Sequence, residues 1–491
     1  MRTGARLHSI TLGLCALTAA ACTSRVAAPP APPAGVARGC PPERASDGEV
    51  RLVVLGDSGY GQGFAEWGLH GQEAIASRIN NLRLAPDLVL FLGDNVYWLG
   101  SDSLYKARFD DMYDPLIRGC KVHVALGNHD VKGCRVVEEQ EQWQTCLEEL
   151  RTAMLADRKA RYMRQGLAEP AAIAKAQADV LAASTGELAA DARGAGRANC
   201  LPGDASAYEH GGPGRTCNAE AALTHAQFGF GSIVRGTKPA SQRYYSILYP
   251  LPKLAGAGGK PAEPTAAPPQ RPLLDVIVLD SNTLNVTHGE LVSTYDKPRE
   301  DQLQLLFFRN AMAQWLPAPG ETHRIWKIVT MHHPPYTPRG CVCRLFGRCV
   351  GGHSDEPQLA KQLAAAWEDI EPPDIVLTAH NHAYARSHPL DKTGTPVTTG
   401  KGGVRYFVSG GGGAPLYAID SKDTRFAKAL TIYHFMYWRL TSSAAFFWAI
   451  DGRGQVRDSG CFEKGSNVDR PLAPEFRYDD TLPAQGCAAS Q

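Results

Sequence analysis

A chain of 491 residues that is 44% hydrophobic and 21% charged has the composition of an ordinary globular protein and the length for a large core. Its formal net charge of +1 gives no electrostatic footing for nucleic acid as a binding partner. Beyond the N-terminus no apolar run approaches the roughly eighteen residues of a membrane-spanning helix, so no span is expected downstream.

Residues 1–22 read as a signal peptide. Arg2 and Arg6 form a charged leader, Ile10 to Ala21 an apolar stretch, and Ala19-Ala20-Ala21 a small-residue cleavage site. Cys22 follows directly, which resembles a bacterial lipoprotein signal whose cysteine is lipidated, although Ala19 stands where leucine is more usual. The expected address is periplasmic or cell-surface, with the membrane met only through a lipid anchor at Cys22. Thirteen cysteines agree with export. Cys134 with Cys146, Cys200 with Cys217 and Cys461 with Cys487 are expected as local bridges. Residues 23–48 are a Pro/Ala-rich tether.

The globular part, 49–460, opens with the strand-like run Glu49 to Leu55, which ends in Gly56-Asp57-Ser58-Gly59. A helix with Ile75, Ile79 and Leu82 on one face comes next, then the apolar run Asp87 to Leu92 ending in Gly93-Asp94-Asn95-Val96-Tyr97. Val122 to Leu126 leads into Gly127-Asn128-His129-Asp130. Residues 131 to about 240 break the rhythm. They read as an insertion, helical to about Leu188, then Gly-rich and held by disulfides, with no chemistry of its own.

Strand-like segments 243–249 and 273–280 follow, then a helix over 300–316 with Leu303, Leu306, Phe307 and Trp315 as its apolar face. The strand Ile325 to Met331 ends at His332-His333, and Asp374 to Leu377 leads to Ala379-His380-Asn381-His382, with a helix near 357–369 between them. Val404 to Ser409, Tyr433 to Leu440 and Ala444 to Ile450 read as sheet, and 461–491 as a C-terminal tail. Strands alternating with helices imply an α/β fold.

The chemistry lies where these runs end. Asp57, Asp94, Asn128, His332, His380 and His382 offer oxygen and imidazole donors suited to Fe, Mn or Zn. Two ions roughly 3.5–4 Å apart clamp the attacking and leaving oxygens of a displacement on phosphorus. Gly56-Asp57-Ser58-Gly59 also spells a serine-protease nucleophile motif, but it sits too early in the chain and Tyr60 follows it. His123 and His333 read as structural. The loop Cys341 to Cys349 reads as a disulfide-stiffened rim rather than a zinc site, and Ser409 to Gly413 as a strand followed by an irregular turn rather than a phosphate cradle.

Taken in order, Asp57-Ser58-Gly59, Gly93-Asp94-Asn95-Val96-Tyr97, Gly127-Asn128-His129-Asp130, Val329-Thr330-Met331-His332 and Ala379-His380-Asn381-His382 resemble the motif set of purple acid phosphatases, within the calcineurin-like metallophosphoesterases. That resemblance implies a two-sheet sandwich flanked by helices, with the metals at one edge. It places Asp57, Asp94, Tyr97 and His382 on a ferric iron, and Asp94, Asn128, His332 and His380 on a divalent Fe, Zn or Mn ion. Ala379, where the family usually has glycine, raises the expectation of strain in that turn. The implied activity is hydrolysis of phosphomonoesters by attack of metal-bound hydroxide, with His129 and a displaced His353 on the substrate side. The alternatives are a phosphodiesterase or nucleotide pyrophosphatase on the same site, or a non-catalytic surface lipoprotein that binds a partner.

Overall fold

Two mixed sheets form the body of the protein, and each is built around parallel strands that the sequence makes apolar on both faces. In the first, Glu49–Leu55, Leu88–Phe91 and Val122–Val124 pair in parallel. His434–Thr441, Ala444–Asp451 and Val456–Glu463 extend that sheet antiparallel from the other side of Glu49–Leu55. In the second, Leu274–Val278, Trp326–Thr330, Ile375–Thr378 and Arg405–Ser409 lie parallel, flanked by antiparallel Tyr384–Ser387 and Phe426–Leu430 on one side and Tyr245–Tyr249 and Ile233–Arg235 on the other. A small third sheet joins Ala418–Ile419, Gly340–Cys343 and Cys349–Val350. The computed structural model describes residues 48–61, 71–97, 102–118, 122–130, 140–182, 233–235, 244–249, 272–284, 286, 297–314, 325–343, 349–350, 352–397, 402–420, 422–472, 476–482 and 487. The signal peptide, Cys22, the tether and the pairs Cys134–Cys146 and Cys200–Cys217 lie outside the described residues or side chains.

The two-residue period of a strand decides which core each side chain joins. From the second sheet, Trp326, Ile328, Ile375, Leu377 and Phe407 turn toward the first, where Phe407 meets Trp438 with ring centroids 4.8 Å apart. Val329, Val376, Tyr406 and Val408 turn to the opposite face, under the helices Lys297–Ala313 and Pro357–Ala366. The fold is therefore the expected α/β sandwich with helices outside.

Two expectations need correction. The helix over 300–316 begins earlier, at Lys297–Ala313, and buries Gln304, Phe308, Ala311 and Met312, while Leu306 is exposed. Gln304 belongs to the inner face because its amide bonds Asp280 and the Thr283 hydroxyl, a reason invisible to a count of apolar residues. The strand Val456–Glu463 crosses the expected start of the tail at residue 461. Within it Cys461 is bridged to Cys487, as expected from sequence, and beyond it Phe476 stacks on Trp448. The insertion is helical over Gln140–Arg164 and Glu169–Ala182, and Met154 is buried in the core shared by both sheets. Cys341, at the rim, is disulfide-bonded.

Candidate metal centre

Every residue of the expected ligand set follows the C-terminal end of a parallel strand, the edge where ligands of open α/β sheets bind. Asp57, Asp94, Tyr97 and Asn128 come from the first sheet, and His332, His380 and His382 from the second. Among the described residues the non-glycine positions with left-handed backbone are Asp57 (φ 55°), Asp94 (φ 52°) and His380 (φ 67°), all three in this set. Such conformations persist only where the surroundings over-determine them, and they cluster at functional sites. Here cross-loop bonds do so: Asp57 N donates to Gly93 O (3.0 Å), Gly59 N to Asp94 O (3.2 Å) and His380 N to Asp57 Oδ2 (2.8 Å).

In the turn where strain is expected, the left-handed residue is His380 (φ 67°), and Ala379 itself is not left-handed. Gly56 makes the room for it: a Cβ there would lie 2.3 Å from that of Ala379.

The donor atoms converge in two groups. The Tyr97 hydroxyl donates to Asp57 Oδ1 at 2.8 Å and lies 3.0 Å from His382 Nε2. His382 Nδ1 is 2.8 Å from Pro415 O, so that nitrogen carries the proton and Nε2 turns a lone pair inward. In the other group His332 Nε2 lies 3.1 Å from Asn128 Oδ1, 3.1 Å from His380 Nδ1 and 3.5 Å from Asp94 Oδ2. His332 Nδ1 donates to Leu92 O at 3.0 Å, which again leaves Nε2 facing in. Donor atoms of Asp57, Asp94 and His332 all fall within 4.8 Å of one another, so the two groups meet at the carboxylates.

Buried carboxylate, amide and imidazole acceptors pressed this close repel unless cations lie among them. The residues therefore fit a pair of metal ions, and the charges show the same demand. Burial works to raise the Asp94 carboxyl, but the His332 and His129 charges overcome it and hold it far below the usual range. Burial works to lower His332, yet Asp94 raises it to about 9. Burial, Asp57 and Asp94 push the Tyr97 phenol well above its ordinary value, so only a strongly bound cation would take its proton.

Around these donors stand the other residues singled out from sequence. The His129 main-chain N–H donates to Asp94 Oδ1 at 2.9 Å, and its half-buried ring is 4.3 Å from that of Tyr97. His353 is brought in too, its ring 3.7 Å from His380 and 5.2 Å from Tyr417. Asp130 does not serve His129: its carboxylate accepts from Asn95, Gly127 and the Tyr105 hydroxyl, tying two ligand loops together. His123 is buried 6.4 Å from the Tyr245 ring, away from the centre, and burial lowers it to about 3. His333 is buried 4.4 Å from the His380 ring, with Nδ1 2.7 Å from Ser281 Oγ.

Three contributors carry no motif signal. Tyr417 stacks on His382, rings 4.4 Å apart and 6° from parallel. Asn282, in the turn after Leu274–Val278, donates to the carbonyls of Leu126 and Gly127 and so holds the Asn128 loop. The glycines after Ser409 lie in a turn that braces the Asp57 loop, with Gly412 N donating to Gly56 O and Ala414 N to Asp57 O.

Residues 50–170 match the family model described as Calcineurin-like phosphoesterase, a stretch that holds Asp57, Asp94, Tyr97, Asn128 and His129. A search of curated proteins finds no match. Similar solved structures include the purple acid phosphatase PPD1 isolated from yellow lupin (Lupinus luteus) seeds, at 15% identity, with 86% of this chain and 55% of that one covered and a TM-score of 0.45. The chain thus spans about half of the lupin protein's length. Another is PhoD, at 12% identity, 89% and 73% coverage and a TM-score of 0.46. A third is GAP50, the anchor in the inner membrane complex of Plasmodium, at 11% identity, 87% and 89% coverage and a TM-score of 0.42.

Proposed function

We propose that the chain, whose residues 50–170 match the calcineurin-like phosphoesterase model, is a metal-dependent phosphoester hydrolase, and more closely an exported acid phosphatase acting on phosphomonoesters. The observation that carries this reading is the Tyr97 phenol, wedged between Asp57 Oδ1 and His382 Nε2 at 2.8 and 3.0 Å. A phenolate there is a hard anionic donor, which suits ferric iron. Asp57, Asp94, Tyr97 and His382 would hold that ion. Asp94, Asn128, His332 and His380 would hold a divalent Fe, Zn or Mn ion.

When bound, the ion pair supplies an activated water and neutralises charge on the phosphoryl oxygens. The chain's own residues do the rest. Pro415 O and Leu92 O fix the His382 and His332 rings through their Nδ1 atoms, so the donor geometry is set before a substrate arrives. His129, held on the Asp94 carboxylate through its main chain, presents a ring that keeps a proton beside an anionic phosphate and gives it to the leaving alkoxide. His353, against the His380 ring, is the second residue placed to contact phosphate. The Cys461–Cys487 disulfide supports an oxidising compartment, and with it the periplasmic or cell-surface address.

Metal analysis paired with a substrate panel tests the reading. The expected result is one iron and a second metal per chain, a purple to pink colour, and fastest turnover of a monoester. A colourless, fully active protein with two zinc ions overturns the Tyr97 assignment. Faster turnover of a bis-ester or a dinucleotide makes the protein a phosphodiesterase or nucleotide pyrophosphatase. No turnover at full occupancy makes it a binding protein. Membrane fractionation of Cys22→Ser tests the anchor: the variant should leave the membrane with its activity unchanged.

A further inference from the structure

The inserted helix Gln140–Arg164 reaches the metal centre through one buried ion pair. Asp157 on that helix accepts from Arg108 Nε at 2.8 Å, with the two side chains 8% and 1% exposed. Arg108 sits in the wide π turn Lys106–Asp110, a helix irregularity often found at functional sites. Its Nη1 donates to the main-chain carbonyl of Tyr97. Two further contacts hold the arginine in place. Gln72 Nε2 donates to Arg108 O at 2.6 Å, and Gln72 Oε1 accepts from Gly61 N at 2.9 Å. Gly61 itself lies so close that a Cβ there would be 2.6 Å from Arg108 Nε.

Within this chain of contacts Tyr97 is held from behind. Its N–H donates to Gly59 O at 3.1 Å, its carbonyl accepts from Arg108, and its hydroxyl faces Asp57 and His382. A lysine in place of Arg108 would keep the charge but lose the planar fork that serves Asp157 and Tyr97 at once. Among the described residues two other ion pairs join the same helix to earlier elements of the chain, Arg161 to Asp111 at 3.2 Å and Arg164 to Glu73 at 3.8 Å. Both are largely exposed and contribute little to its docking. The Asp157–Arg108 pair is the one that leads inward.

We infer that Asp157 and Arg108 are positioning residues by which the insertion fixes the Tyr97 loop, which makes the insertion part of the metal centre. This rests on Tyr97 as a metal ligand, so the test separates the two claims. Hydrogen exchange is followed in the full-length chain, loaded and stripped of metal, for wild type, Asp157→Asn, Arg108→Lys and Tyr97→Phe. Asp157→Asn keeps the size and an acceptor, which protects the fold.

In the stripped Asp157→Asn chain, exchange of the Tyr97 amide should rise about tenfold, the order expected when one charge-assisted hydrogen bond in the chain of contacts is weakened. Amides of the strand Leu88–Phe91 should be unchanged. Arg108→Lys should fall between this variant and wild type. In the loaded chains the visible band should shift in Asp157→Asn and vanish in Tyr97→Phe. An unchanged Tyr97 amide, or one that rises only in step with Leu88–Phe91, overturns the inference and leaves the pair a docking contact. A band and metal content unaltered in Tyr97→Phe overturn the ligand assignment, while the exchange result still decides the positioning role.

Discussion

Replacing His129 with alanine separates proton delivery from metal binding. The residue's link to the metal centre is its main-chain N–H, 2.9 Å from Asp94 Oδ1, which the substitution leaves in place. Both metals should therefore stay bound. What is lost is the ring beside Tyr97, and with it the proton for the leaving oxygen. A positioned general acid contributes about 10²–10⁴-fold, or about 3–5 kcal/mol of barrier. An alkyl phosphate, whose alkoxide leaves poorly without a proton, should slow by that range. Nitrophenyl phosphate, with an acidic leaving phenol, should slow far less. The assay is kcat on both substrates with metal content measured on the same preparations. Equal losses on the two substrates would show that His129 binds phosphate and delivers no proton, and would pass that role to His353. Loss of metal would refute the claim that the main-chain bond to Asp94 is what the metal centre needs from His129.

Three further outcomes follow from the geometry. Gly410→Ala places a Cβ 2.3 Å from Asn381 O and 2.6 Å from Asp57 Oδ2, so it should cost about 1–3 kcal/mol of stability and lower the metal content; an unchanged melting temperature and full metal content would refute this. In the metal-free chain His332 is raised from 6.5 to about 9, so the stability of its pair with Asp94 is whole below about pH 6.5 and lost as pH rises through about 9. A metal ion must displace that proton, so apparent affinity at the divalent site should rise between pH 6.5 and 9, and isothermal titration showing a flat profile would contradict it. Cys487→Ser opens a loop closed across 26 residues and should cost about 3.5 kcal/mol in a thermal melt under oxidising conditions, whereas an unchanged melt would mean that the tail's packing alone holds it.

The convergence of the candidate donors was legible because each motif sits where an apolar run stops. Asp280-Ser281-Asn282 also follows such a run, Leu274 to Leu279, yet it offers no imidazole and belongs to no motif, so its role in holding the Asn128 loop was passed over. Gln304 gave no sequence signal, because its burial is set by Asp280 and Thr283, distant in sequence. Val456–Glu463 escaped because its alternation is irregular, with burial confined to Gly460, Cys461 and Phe462; pairing with Ala444–Asp451 makes it a strand. Arg108 gave no signal at all, since a lone arginine in a charged stretch reads as solvated until the insertion is seen to dock on it.

The division of donors between the two sheets sets an order on how the protein comes into being. On the proposed assignment neither ion would find a full shell in one half: the first would need His382 beside Asp57, Asp94 and Tyr97, and the second His332 and His380 beside Asn128. A nascent chain ending at residue 170, where the family match ends, would lack every histidine of the set. Metal acquisition is then a late event, possible only after some 325 residues of intervening sequence have closed on themselves between Asp57 and His382. Bound metal would report completed folding, and a truncated chain should remain metal-free at any metal concentration that loads the whole.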